Sequence, residues 1–189
     1  MVARAAAAEA TAERIIDAAV TLFWEQPSDQ IRLTEVARRA EVTVQTVLRR
    51  FGSKEDLFAA AAAREVARVR SDRAGVRPGD VAGAVTNLVD HYERDGDGVL
   101  RLLAEEHASA AMRDAVASGR TVHRRWCRTV FAPYLDGLDR TTAARRTAQL
   151  VAICDVYTWK LLRRDSGLSR AQTLRAIEEM LAPFTKEAS

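Results

Sequence analysis

The sequence predicts an all-α protein. Its 189 residues include only nine glycines and four prolines, so few positions interrupt a helix. Good helix formers dominate the composition, and no segment shows the alternation of apolar and polar residues that is typical of strands. The length allows one small domain followed by a second core of about 130 residues.

Two short amphipathic helices are predicted between residues 33 and 51. Apolar residues recur at i, i+3, i+4 and i+7 from Leu33, and the same spacing recurs from Val44 after a four-residue interruption. Thr43 suits the N-cap of the second helix, and Gly52 can end that helix. Two such helices joined by a tight turn are typical of the helix-turn-helix motif that reads DNA.

The exposed face of the second helix carries cations and no acid. Gln45 and Arg49 share one side of the helix at i and i+4, and Thr46 shares the neighbouring side with Arg50. Lys54 lies in the first turn of the next helix, where a cation opposes the macrodipole unless a phosphate lies nearby. This pattern favours DNA binding over the alternative of two core helices with solvated arginines.

Three sequence blocks around this motif together resemble the N-terminal domain of TetR/AcrR-type transcriptional regulators. The blocks are RIIDAAVTLF (14–23), LTEVARRAEVT (33–43) and FGSKEDLF (51–58), and the spacing between them matches that family. The resemblance covers roughly residues 11–60. It implies a three-helix DNA-binding domain whose third helix enters the major groove, followed by a helical ligand-sensing and dimerisation domain.

The resemblance also implies which residues contact DNA. By position, Thr43 would contact phosphate while capping the recognition helix, and Gln45 and Thr46 would approach bases. Val44 matches a position that often touches bases, although it also lies on the apolar face. The contacts to the DNA backbone would come from Arg49, Arg50 and Lys54.

The chain departs from the family pattern in two places. The family usually has glycine in the turn of its helix pair, where this chain has Glu41, and a non-glycine residue in a left-handed conformation costs on the order of 1 kcal/mol. We therefore expect a differently shaped turn. The family also favours tyrosines and a histidine before the closing phenylalanine, where this chain has Leu48, Arg49 and Arg50. Two permanent charges there should bind phosphate and steepen the salt dependence of binding.

Further helices are predicted after residue 60. The helix that starts after Ser53, which with Asp56 resembles a capping box, should stop near Gly75. The following helices are expected from Asp80 to before Gly96, around residues 99–103, over about 110–135 with an end or kink at Pro133, over about 142–164, and after a capping box of Ser169 and Gln172.

Two of these segments predict a dimer. Apolar residues occur on every side of the helix between Leu150 and Leu162, and such a helix must be covered all round. We expect one side to face a partner subunit in a four-helix interface with the last helix, which the resemblance also implies. A homodimer pairs two recognition helices and predicts a roughly palindromic operator. The predicted interface residues are Val156, Leu161, Leu174, Ile177, Leu181 and Phe184.

Polar groups on otherwise apolar faces are the candidates for a sensing pocket, because a ligand can satisfy a buried polar group. Asp155 and His123 are the first candidates, and each has the alternative of being a satisfied core residue. The other residues that could line the same cavity are Tyr92, His107, Trp126 and Trp159. The resemblance supports an unidentified small-molecule effector. Its binding would change the separation of the two DNA-binding domains of the dimer and lower the affinity for DNA.

The sequence leaves two alternative functional classes. An all-α enzyme or carboxylate-metal bundle could use acids and histidines of the second half, but the chain has no Glu-x-x-His or His-Glu-x-x-His spacing. It also has no nucleophile elbow, phosphate loop or dinucleotide motif, so we expect no enzyme, cofactor or metal site. The other alternative is a DNA-binding adaptor or architectural dimer that has no effector.

Composition predicts where the protein works. The formal charge of +3 is modest, so DNA binding depends on where the basic residues lie. Cys127 and Cys154 lie far apart within apolar stretches, which favours reduced packing residues of a cytoplasmic protein. No signal peptide and no membrane span are expected. The predicted organisation is a flexible arm over residues 1–10 that could bring Arg4 to DNA, a helix-turn-helix domain over 11–53, and a regulatory and dimerisation domain over 54–189.

Overall fold

The computed structural model describes the backbone of residues 2–185 and the side chains of residues 5–185. The all-α prediction is confirmed, since the described residues form helices and turns and contain no strand. The helices are α1 (Val2–Glu25), α2 (Leu33–Arg39), α3 (Val44–Phe51), α4 (Lys54–Arg73), α5 (Val81–Ala104), α6 (Ala110–Val130), α7 (Arg140–Ile153), α8 (Val156–Lys160) and α9 (Arg170–Thr185). A 3₁₀ turn (Ala132–Tyr134) follows α6, and a π-helical turn (Leu161–Asp165) follows α8.

The N-terminal residues are helical where the sequence predicts a flexible arm. Helix α1 begins at Val2, because the alanine-rich start has the highest helix propensity of any composition. Met1 of the expected arm and the side chain of Arg4 lie outside the described part of the chain. The last four residues of the expected second domain, 186–189, lie outside it as well.

The chain divides into two compact units. The first comprises the residues up to 67 together with 101–117, and the second comprises 68–100 and the residues from 118 onward. The first unit has its own hydrophobic core, in which α1, α2, α3 and the start of α4 each bury at least one large side chain. The fully buried residues of that core include Ile15, Leu22, Ile31, Val36, Val47 and Leu57. The second unit buries Leu88, Phe131, Leu150, Trp159, Ile177 and Leu181.

Several predicted helix ends are present in the structure. Asp80 caps α5 by accepting a hydrogen bond from the Gly83 amide at 2.8 Å, and helix α4 ends at Arg73, close to Gly75. Ser169 and Gln172 form a reciprocal capping box at the start of α9, with bonds of 2.9 and 3.2 Å. These ends depend on residues close together in sequence, which is why the sequence predicts them.

The prediction that a helix ends before Gly96 is wrong, because α5 continues without a break to Ala104. Gly96 is buried, and a Cβ built on it would lie 2.6 Å from the indole ring of Trp159. The glycine therefore serves the close approach of a tryptophan and does not end the helix.

The prediction of one helix over about 142–164 is also wrong. Helix α7 ends at Ile153, and Asp155 has an extended backbone with φ −81° and ψ 154°. Its carboxylate accepts a hydrogen bond from the Tyr157 amide at 3.0 Å and so caps α8. A short polar side chain that bonds the local backbone competes with helix continuation. Aspartate here starts a new helix in the middle of an apolar stretch.

Candidate nucleic-acid interface

The turn between α2 and α3 is held in a conformation that usually requires glycine. Glu41 has φ +55°, the only positive φ at a non-glycine residue in the described chain. The amide of Val42, next in sequence, donates to the Ala37 carbonyl at 2.9 Å and closes the end of α2. The chain therefore keeps a left-handed turn despite the missing glycine and accepts a cost of about 1 kcal/mol.

Helix α3 is fixed on its inner face and at both ends. Val47 is fully buried, and Val44 and Phe51 pack half-buried against the core of the first unit. The Thr43 hydroxyl accepts a hydrogen bond from the Thr46 amide at 3.1 Å, which is the predicted N-cap. The burial of Val44 places it on the packed face, so its predicted contact with bases is limited to the edge of that face.

The outer face of α3 presents uncommitted polar groups. Gln45, Arg49 and Arg50 are exposed. Among the residues that the structure describes, Gln45 and Arg49 have no side-chain hydrogen bond or ion pair. Arg50 pairs with Glu9 of α1 at 3.1 Å, but both side chains are exposed, so this pair is weak. The face can therefore accept an external anionic partner without breaking a strong internal contact.

The arginines of α2 differ from those of α3. Arg38 and Arg39 both bond the carboxylate of Glu35, and Arg39 also pairs with Glu25 at 2.5 Å. Hydrogen bonds from Arg38 and then Arg39 lower the pKa of Glu35 to about 2. Acids that remain ionised thus neutralise the cations of α2. On α3, by contrast, Arg49 has no acidic partner among the described residues, and Arg50 has only the exposed pair with Glu9.

Lys54 has an internal partner that sequence reasoning missed. Its Nζ donates to the Ser28 carbonyl at 2.7 Å and lies 5.8 Å from the centre of the Phe58 ring. The Ser28 amide in turn donates to Glu105 at 3.2 Å. Lys54 therefore fastens the loop before α2 to the start of α4. This bond gives a structural reason for a cation in the first turn of a helix, where the sequence suggested only a phosphate.

Three of the predicted pocket residues have ordinary structural partners. The Tyr92 hydroxyl donates to the Cys154 carbonyl at 3.1 Å, and burial raises the pKa of Tyr92 above its usual value. Trp159 donates through Nε1 to Glu93 at 3.0 Å. Asp155 caps α8. His107 is exposed and belongs to the first unit, whereas the other five belong to the second.

The remaining two predicted residues, His123 and Trp126, both contact Arg73. Arg73 Nη1 lies 3.0 Å from His123 Nδ1, and the guanidinium carbon lies 4.8 Å from the centre of the Trp126 ring. Arg73 is only 4% exposed. The two predicted residues thus hold a buried cation at the end of α4, and the sequence analysis did not select that cation.

Arg73 lines a cleft between α4 and α5 within the second unit, here called the α4–α5 cleft. Its volume is about 290 Å³, and it is lined by Val69, Asp72, Arg73, Asn87, Asp90, His91 and Arg94. None of the six predicted pocket residues is among them. The sequence does contain a signal for this cleft. His91 and Asp95 follow Leu88 at spacings of three and then four residues, so two polar residues lie on the apolar face of α5, and both are buried.

Comparison with known proteins identifies the family. Residues 15–61, which span the helix-turn-helix and its supporting helices, match the family model described as bacterial regulatory proteins, tetR family. These residues therefore form an N-terminal domain of the tetR family. No curated protein matches the sequence. The members of this family and the similar solved structures are transcriptional regulators and not enzymes.

Solved structures of transcriptional regulators share the fold of nearly the whole chain. A transcriptional regulator from Rhodococcus sp. Rha1 has a TM-score of 0.74 at 19% identity, covering 92% of this chain and 95% of that one. FadR from Bacillus subtilis in complex with stearoyl-CoA has a TM-score of 0.65 at 17% identity, covering 89% and 96%. A regulator from Saccharomonospora viridis in complex with choline has a TM-score of 0.64 at 16% identity, covering 90% and 95%.

The predicted interface residues divide into two groups by their burial. Val156, Ile177 and Leu181 are buried within the chain, because the apolar residues on their side of each helix fill the core of the second unit. Their side chains therefore offer no surface to a partner. Leu161 is 59% exposed, and Leu174 and Phe184 are half-buried. Tyr157 and Met180, which the sequence analysis did not select, are large exposed apolar residues of the same segments.

The described residues contain neither a candidate metal cluster nor a candidate membrane span. Within the described residues, no group of three or more histidines, cysteines or acids is arranged to hold a metal ion. No helix in the described part of the chain combines the length and the apolar character needed to cross a membrane. Cys127 and Cys154 are free thiols, and both are buried.

Proposed function

We propose that this TetR-family protein is a homodimeric transcriptional repressor that binds a palindromic operator and is released from it by a small-molecule effector. The observation that carries the proposal is the outer face of α3, where Gln45 and Arg49 are exposed and uncommitted while the inner face is locked into the core. A rigid helix with free donors and no acid suits the major groove.

Each residue of this face has a proposed role. Gln45 and Thr46 read base edges, because an amide or a hydroxyl can discriminate bases in the major groove. Thr43, Arg49 and Arg50 hold phosphates, and Val44 adds apolar contact from the edge of the packed face. Lys54 has three N–H donors, so its bond to Ser28 leaves two for a phosphate.

The dimer is proposed to form through the last helices. Tyr157, Leu161 and Met180 are the large hydrophobic side chains that the described surface exposes. Leu174 and Phe184 would complete the apolar surface around them. Burying this surface against a second copy removes it from water, and a two-fold axis then places two copies of α3 for the two halves of a palindrome.

The proposed division of labour follows the predicted boundaries. Residues 11–53 read DNA, and residues 54–189 bind the effector and form the dimer, in a cytoplasmic protein. Two structurally similar regulators support an effector, since one is in complex with stearoyl-CoA and another with choline. Their ligands differ greatly in size and charge, so this chain's own residues must define its effector.

Selection of bound sequences from a random duplex pool, at near-physiological salt, tests the proposal. We expect the purified protein to recover a palindrome, and Gln45→Ala to relax the preference at one position of each half. Arg128→Ala, which changes an exposed arginine of α6, is the matched control and should recover the same palindrome. Featureless recovery that disappears as salt rises would contradict a specific regulator. A palindrome whose binding no compound weakens would favour an architectural dimer.

A further inference from the structure

Arg73 is a buried cation without an acidic partner. It is 4% exposed, and no carboxylate of the described residues forms an ion pair with it. Its contacts are the side chains of His123 and Trp126, neither of which is an acid. Buried charges are normally paired, because leaving water is costly for an isolated ion. The guanidinium of Arg73 is therefore suited to bind an anion from outside the chain.

The acids around Arg73 are already used by other arginines. Asp72 pairs with Arg94 at 3.0 Å, and Asp90 accepts from Arg170 Nε at 2.9 Å. Asp95 accepts from Arg94 Nε at 3.0 Å and from Arg68 at 2.8 Å. Each of these three acids is thus paired with another arginine, with Arg68 and Arg94 shared between Asp72 and Asp95, and none of them pairs with Arg73.

Unsatisfied polar atoms are concentrated in the same place. In the described part of the chain, the buried side-chain nitrogen and oxygen atoms without a hydrogen-bond partner are Arg73 Nε, Asn87 Oδ1, His91 Nδ1 and Trp126 Nε1. The first three belong to residues that line the α4–α5 cleft. Buried polar atoms rarely lack partners, so such a group around one cleft indicates a missing ligand.

The unsatisfied atoms define the chemistry of that ligand. Arg73 offers donors in a planar fork that fits a carboxylate. Asn87 donates through Nδ2 to the Asp72 carbonyl at 2.9 Å, which leaves its Oδ1 as an acceptor in need of a donor. His91 is 7% exposed, and its Nδ1 lies 3.2 Å from the Asp95 carboxylate of the same helix, so it faces that acid and does not define the ligand.

We infer that the α4–α5 cleft binds a compact organic carboxylate that also carries a hydrogen-bond donor, such as a hydroxy acid or an amino acid. Arg73 holds the carboxylate, and Asn87 accepts from the ligand's hydroxyl or ammonium group. A volume of about 290 Å³, that of about ten water molecules, is enough for a compact ligand. This inference rests on the proposed function in one respect: the ligand would be the effector.

His123 and Trp126 are positioning residues in this site. The bond to His123 Nδ1 and the contact with the Trp126 ring fix the guanidinium before any ligand arrives. Fixing a long side chain in advance lowers the entropy cost of binding. The two residues selected from sequence as pocket candidates would therefore act through Arg73.

Ligand-induced thermal stabilisation of the full chain, without DNA, tests the inference. The probes are lactate, mandelate and serine, each compared with its neutral amide, together with inorganic phosphate. We expect at least one carboxylate to raise the melting temperature of the wild type in a saturable way, while its amide does not. Arg73→Gln should weaken the Kd by at least about tenfold, the loss expected for a charged hydrogen bond. Arg128→Gln is the control and should bind as the wild type does.

A second variant keeps the inference testable if Arg73→Gln fails to fold. Asn87→Asp keeps the size of the side chain and adds a negative charge to the cleft, so it should also weaken carboxylate binding by at least about tenfold. Failure of every carboxylate to stabilise the wild type overturns the inference, as does equal stabilisation of the wild type and both variants. Stabilisation by phosphate alone would assign the cleft to a phosphate-bearing ligand and overturn the carboxylate. A carboxylate that binds the wild type but leaves the selected operator bound would contradict only the effector role.

Discussion

The indole ring of Trp159 lies against the backbone of Gly96, so closely that a Cβ on Gly96 would come within 2.6 Å of the ring. Trp159 is fully buried and donates to Glu93, which also accepts from Arg163 at 2.8 Å. The tryptophan cannot easily move, and the helix must approach it without a side chain at position 96.

We expect Gly96→Ala to lower the free energy of unfolding by up to about 2 kcal/mol, because an overpacking cost of about 1–3 kcal/mol outweighs the roughly 1 kcal/mol that alanine adds to a helix. Gly119→Ala in α6 is the matched control, since no atom lies within 4 Å of its added Cβ. That variant should gain stability. Chemical denaturation measures both, and a stabilised Gly96→Ala protein would contradict the tight contact.

The left-handed Glu41 predicts a stabilising substitution. Glu41→Gly should raise the free energy of unfolding by about 0.5–1 kcal/mol, because relief of the strain exceeds the added entropy of the unfolded chain. Glu41→Ala removes the same charge but keeps the strain, so it should give no such gain. Equal stabilisation by both variants in denaturant titrations would attribute the effect to the charge and not to the backbone.

The uncommitted arginine of α3 predicts a change in salt dependence. Arg49→Ala should weaken operator binding and reduce the slope of log K against log salt by about one, the value for one phosphate contact. Arg38→Ala on α2 is the control, because Arg38 already pairs with Glu35 at 2.6 Å. Its slope should match that of the wild type in titrations followed by fluorescence anisotropy. An unchanged slope for Arg49→Ala would remove this residue from the interface.

Asp95 predicts how stability falls in acid. Burial alone would raise its pKa, but His91 and the guanidinium groups of Arg68 and Arg94 outweigh burial and hold the pKa well below the usual 3.8. A depressed pKa stabilises the folded state above about pH 3.8, and this contribution is lost as pH falls through the folded-state pKa.

Asp95→Asn should therefore destabilise the protein at pH 7 by more than the roughly 1 kcal/mol expected for an exposed ion pair. The difference from the wild type should shrink below about pH 3.8. Asp136→Asn, at an exposed position, is the control. Urea titrations across this pH range give the comparison, and a difference that stays constant with pH would show that the charge of Asp95 is not responsible.

The exposed Leu161 predicts an effect on the dimer. Leu161→Glu should convert the proposed dimer to a monomer, because it puts a charge into an apolar surface at both copies of the interface. Thr129→Glu, an exposed change on α6, should leave the dimer intact. Light scattering coupled to size-exclusion chromatography measures the mass. A Leu161→Glu protein that stays dimeric with a normal melting temperature would locate the interface elsewhere.

Features that depend on residues close together in the sequence could be predicted from the sequence alone. The periodic apolar positions give the helices of the first unit, and Thr43, Asp80 and Ser169 each cap a helix by accepting from the amide three positions further on. The family signature lies in the same short segment. The fold class, the helix-turn-helix and the outer face of α3 could all be predicted for this reason.

Features that depend on contacts between residues far apart in the sequence follow only from the tertiary structure. Gly96 continues a helix because of Trp159, and Lys54 has a structural partner in Ser28. Periodicity marks Ile177 as apolar but cannot say whether a core or a partner covers it. The clearest case is Arg73, which reads in the sequence as one more solvated cation at a helix end. Only packing shows that it is buried, that every nearby acid is taken, and that the cleft beside it lacks an anion.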